Sequence, residues 1–69
     1  MLEKTEKIKI VKQLLKNYEA DKYSAELNLR IAESVGMEDL IQMHSAQAAV
    51  MRKAVEILAA ELGAMEGKK

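Results

Sequence analysis

The chain has 69 residues, 11 basic and 11 acidic side chains, a formal net charge of +0, and neither cysteine nor proline. That length holds one small domain or half of a shared one, and a core of that size is marginal unless disulfides, metal or self-association support it. Disulfides and thiol chemistry are excluded, the balanced charge sets up no overall field for nucleic acid or anionic membrane, and no apolar run reaches the roughly 18 residues that span a bilayer.

The opening segment, MLEKTEKIKIVK, is charged throughout. It lacks the apolar stretch of a secretory signal, so a cytoplasmic protein is expected. Beyond it, Ala, Leu, Glu, Lys, Met and Gln dominate, all of them strong helix formers. The chain reads as all-α. Its one interior punctuation mark is ESVGMED. Gly36 suits the left-handed position just past a helix end, followed by the apolar Met37. Glu38 and Asp39 suit a first helical turn, where the macrodipole favours negative charge. The expected organisation is a single domain over 1–69, with a first helix over about 3–35 and a turn at about 36–37. A second helix follows over about 38–62, and then a frayed tail over 63–69. So short a connection makes the helices antiparallel neighbours, a helical hairpin; one continuous helix through Gly36 is the alternative.

The apolar spacing supports the hairpin. A repeat of threes and fours marks Ile8, Val11, Leu15, Tyr18, Lys22, Ala25, Leu29 and Ala32 on the first helix. The second helix carries Ile41, His44, Ala48, Met51, Val55, Leu58, Leu62 and Met65. Folded at Gly36, the rows match in reverse order. Ala32 lies level with Ile41, Leu29 with His44, Ala25 with Ala48 and Lys22 with Met51. Tyr18, Leu15, Val11 and Ile8 follow with Val55, Leu58, Leu62 and Met65. Each layer joins an a position to a d position, as antiparallel coiled-coil packing requires.

A second apolar stripe flanks this seam at the g and c positions of the heptad. It comprises Ile10, Leu14, Ile31 and Val35 with the adjoining Leu27 on the first helix, and Leu40, Met43, Val50, Ala54 and Ile57 on the second. In an antiparallel pair the g sides of both helices face the same way, so the hairpin presents one wide apolar face. Contiguous patches of that size mark interfaces. Two hairpins packed face to face into a four-helix bundle are the simplest closed solution, and these residues are the expected oligomer interface. On the opposite side Glu19 and Arg52 occupy matching e positions and are expected to face each other.

No residues carry a recognisable reaction. His44 is the single histidine. Zinc needs three or four ligands, and the Glu-x-x-His pair of carboxylate-bridged metal bundles is missing because Ile41 stands three residues before His44. His44 is therefore read as a seam residue with a nearby polar partner such as Asn28. Lys22 is read as a snorkelling side chain that reaches Glu26 or Glu19. No Gly-rich phosphate loop, paired-carboxylate constellation or nucleophile elbow is present. No enzyme, catalytic residue, cofactor or metal is expected. The amphipathic N-terminus lacks the aromatic anchors of a membrane-surface helix, so no membrane partner is expected either.

One charged line qualifies as a candidate nucleic-acid face. Lys9, Lys16, Tyr23 and Arg30 recur every seven residues, with Lys12 nearby, and basic residues flanking an aromatic suit a nucleic-acid strand. Glu19, Glu26 and Glu33 run beside that line, which suits an ordinary solvated face instead. In length and outline the hairpin resembles the Rop-type plasmid regulators, and this resemblance implies a dimeric four-helix bundle that binds paired RNA loops. No residue motif carries over. LLKNYEADKYSAELNLRIAE, residues 14–33, resembles the opening helices of small phage-type transcription regulators.

The expected protein is a non-enzymatic, self-associating helical hairpin acting as a small adaptor or regulator through protein contacts. Its expected partner is itself, with another helical protein as an alternative occupant of the apolar face. Five methionines suit adaptable apolar surfaces. The alternative function is a small dimeric nucleic-acid-binding regulator that uses Lys9, Lys12, Lys16, Tyr23 and Arg30.

Overall fold

The computed structural model describes residues 1–67. Two helices, α1 (Lys4–Val35) and α2 (Glu38–Met65), pack against each other as a hairpin, with no strand among the described residues. At the start of α1 the Glu6 carboxylate accepts a hydrogen bond from the Glu3 backbone N–H at 2.9 Å. This occupies one of the donors that a helix N-terminus leaves open. At its end Gly36 adopts φ 80°, ψ 28°, and its N–H donates to the Ala32 carbonyl at 2.8 Å. Met37 N–H reaches the same carbonyl at 3.3 Å. A side chain at Gly36 would crowd the backbone in this left-handed conformation, so the glycine turns the chain at little cost. Met37 then precedes α2 in an extended conformation without a side-chain cap, and Glu38 and Asp39 occupy the first turn.

One boundary differs from expectation. α2 runs through Gly63 to Met65, and the chain leaves the helix at Glu66 and Gly67, where φ is 72°. Glycine inside a helix costs only about 1 kcal/mol relative to alanine, and the last seam residues on this helix, Leu62 and Met65, flank it and are half-buried. Of the expected tail over 63–69, Lys68 and Lys69 lie outside the described residues.

Burial follows the expected register. Every seam position on both helices is buried or half-buried. The deepest are alanines: Ala48 is 1% exposed, Ala32 3% and Ala25 6%. No large side chain is fully buried. Two cylinders touch along a line, so only small side chains at the closest approach lose nearly all their water, while Leu, Ile and Met spread around the contact and keep one side wet. The molecule is accordingly elongated, 48 × 21 × 15 Å with a radius of gyration of 15.5 Å, against about 11 Å for a compact domain of this length.

Two outcomes test this packing by denaturant unfolding. Gly36→Ala should lose about 1 kcal/mol through its left-handed φ. Ala48→Leu should lose about 1–3 kcal/mol by forcing the helices apart; an unchanged midpoint for Ala48→Leu would mean that the alanine layer is not where the helices come closest.

Candidate interaction face

The two flanks of the seam differ in chemistry. On the e side Lys12 Nζ lies 3.6 Å from Glu66 Oε2, an ion pair between the helices. Both residues are e positions, which fixes this flank as the one predicted to be polar. The expected Glu19–Arg52 pair does not form within 4.0 Å; among the described residues Lys12–Glu66 is the ion pair that joins α1 to α2. The other pair, Lys53 Nζ with Glu56 Oε1 at 3.7 Å, stays within α2. Lys22 is half-buried in the seam and, among the described residues, pairs with neither Glu26 nor Glu19. Its aliphatic stem covers the seam.

The opposite flank carries the apolar stripe, and most of it stands in water. Ile10 is 46% exposed, Ile31 61%, Val35 64%, Val50 60% and Ile57 58%. Leu14 and Met43 are also exposed, whereas Leu27, Leu40 and Ala54 are half-buried. Met37, at the turn, is exposed as well.

This face is interrupted. A shallow dent of about 240 Å³ lies midway along the hairpin, lined by Asp21, Ser24, Ala25, Asn28, Gln47 and Met51. Ala25 and Met51 belong to the seam, while Asp21, Ser24, Asn28 and Gln47 belong to the same g and c rows as the apolar stripe. The small Ala25 leaves the space, and short polar side chains rim it. This polar middle is not among the expected interface residues, although the g and c positions Asp21, Ser24, Asn28 and Gln47 carry its signal in the sequence.

His44 borders the same region. It is half-buried, and in its Nδ1–H tautomer it donates to Gln47 Oε1 at 3.1 Å. The polar partner is therefore Gln47, one turn along the same helix, rather than Asn28. No group of three or more metal-ligating side chains comes together among the described residues, and among them no helix is long and apolar enough to cross a membrane.

The candidate nucleic-acid residues Lys9, Lys12, Lys16, Tyr23 and Arg30 are all exposed. Lys12 is engaged by Glu66, and the e row beside the line contributes Glu19, Glu26 and Glu33. Compared with known families, curated proteins and solved structures, the chain matches none, so the outline likeness to Rop-type regulators gains no support from these comparisons.

His44→Leu should leave stability at pH 7 unchanged or raised, because a larger apolar group enters the seam and the lost hydrogen bond is exposed. A loss of several kcal/mol in denaturant unfolding would show that the imidazole has an essential polar role. Lys12→Ala should cost at most about 1 kcal/mol, with the difference shrinking in high salt.

Proposed function

We propose that this chain is a non-enzymatic helical hairpin that associates with itself and acts as a small adaptor or regulator through protein–protein contacts. One observation carries this reading: the row Ile10, Leu14, Ile31, Val35, Met43, Val50 and Ile57 stands exposed on one side of a hairpin whose own seam is only half-buried. The surface area points the same way. The hairpin exposes 5272 Å², against about 4,300 Å² for a compact monomer of this mass. The surplus is on the order of the roughly 800 Å² that each partner buries in a standard interface. Burying apolar area at about 25 cal/mol per Å² is the dominant drive for association, and a second copy offers a face of the same chemistry.

The second reading, a nucleic-acid-binding regulator, has the exposure of Lys9, Lys16, Tyr23 and Arg30 in its favour. The adjoining glutamates and the Lys12–Glu66 pair weaken its field. Nucleic-acid binding that falls steeply with salt would favour it.

Self-association predicts that thermal unfolding shifts upward with protein concentration and that sedimentation equilibrium reports a dimer. Ile31→Glu touches no seam position, so the hairpin helices should persist. The same change should weaken the dimer by about 3 kcal/mol, roughly a hundredfold, because a carboxylate is then buried at the interface. A fully helical wild-type monomer at micromolar concentration would overturn the proposal.

A further inference from the structure

The exposed rows of the two helices are patterned differently, and the difference selects one way of joining two copies. On α1 the g and c positions alternate along one line, all exposed. The outer members are apolar, Ile10 and Leu14 towards the open end, Ile31 and Val35 towards the turn. The inner members are polar: Asn17, Asp21, Ser24 and Asn28. The sequence of types reads the same in both directions, and its centre lies between Lys22 and Tyr23. On α2 the c positions Met43, Val50 and Ile57 are apolar and centred on Val50, while the interleaved g positions are Leu40, Gln47, Ala54 and Glu61. Lys22 and Met51 share a seam layer, so the two centres stand at the same level of the hairpin.

A row that reads the same in reverse is complementary to its own antiparallel copy. Resting on the self-association proposed above, we infer that two hairpins pack with their turns at opposite ends, α1 against α1 and α2 against α2, about a two-fold axis that crosses α1 between Lys22 and Tyr23 and passes close to Val50. In α1–α1 packing Ile10 then lies against the partner's Val35, Leu14 against the partner's Ile31, Asn17 against the partner's Asn28 and Asp21 against the partner's Ser24. Along α1 every apolar residue meets an apolar one and every polar residue a polar one; on α2 Met43 meets the partner's Ile57, while Gln47 and Glu61 fall near Ala54 and Leu40. Asp21 can accept from the partner's Ser24 hydroxyl, and the two amides can bond each other. The dent over Ala25 faces its symmetry mate and encloses the polar groups with room for bridging water.

The competing arrangement has both turns at one end and sets α1 against α2 of the partner. With Val35 level with the partner's Leu40, Asn28 meets Gln47, but Asn17 then lies against Ile57, Asp21 against Ala54, Ser24 against Val50 and Leu14 against Glu61. That register desolvates the Asp21 carboxylate and the Asn17 amide against apolar side chains, which is the costly case for buried polar groups. Polar residues within an otherwise apolar seam fix register and orientation in this way at some cost in stability.

The chain has no cysteine, so engineered ones report distance without interference. Ile10→Cys and Val35→Cys, prepared separately with a mass tag on one, are mixed in denaturant, refolded together and oxidised. A second mixture pairs Val35→Cys with Leu40→Cys, which face each other across copies only when both turns share an end. The inference expects a mixed disulfide dimer from the first mixture and none from the second. Cross-linking in the second, or in neither while sedimentation shows a dimer, overturns the arrangement and leaves self-association standing. A wild-type monomer overturns both. Circular dichroism checks each variant for helix, and Leu14→Cys with Ile31→Cys replaces the first pair if either of its members fails to fold.

Discussion

The rest of this molecule depends on the line contact between α1 and α2, along which only Ala25, Ala32 and Ala48 lose nearly all their exposure. Alanine is the right size for that approach and too small to complete a core. The larger seam residues on either side keep part of their surface in water, so the hairpin gains less from burial than a compact domain of equal mass. The same small side chain at Ala25 opens the dent in the apolar flank, which short polar residues rim. Shape, marginal core and interrupted apolar flank thus share one cause.

The flanks of the seam divide the remaining work. The e side is occupied by charges of both signs, and Lys12–Glu66 crosses between the helices there. As an exposed pair it contributes little to stability; its side chains mark a surface made to stay in water. The g and c side has the opposite character. Its apolar groups gain by being covered, and its polar middle restricts what can cover it. In the proposed opposite-end dimer the clusters Lys9, Lys12 and Lys16 of the two copies lie at opposite ends of the bundle. That separation denies nucleic acid one continuous basic surface and favours the adaptor reading.

His44 illustrates how an isolated titratable residue acquires an ordinary role. It stands in the seam at the level of Leu29 and bonds to Gln47 one turn away, a partner that needs no second helix. Helical spacing puts residues three and four apart on one face, so a local partner is always at hand when the next turn carries an amide. Lys22, by contrast, is half-buried in the seam and forms no local ion pair among the described residues.

Much of the fold was legible in the sequence. The seam is a repeat of threes and fours, apolar except at Lys22 and His44, the break is a single glycine, and the layers match only when the chain is folded at Gly36; these are one-dimensional signals, and helix geometry turns them into faces. The apolar flank was legible for the same reason, since g and c rows follow from the heptad. What the tertiary structure decided depends on distances between helices. Glu66 rather than Arg52 makes the charged crossing, 3.6 Å from Lys12 near the end of α2. α2 continues through Gly63 because the seam residues around it are held against α1. The polar middle of the α1 row was legible at its g and c positions; the dent was not, because it forms only where Ala25 and Gln47, distant in sequence, line one wall once the two helices pack.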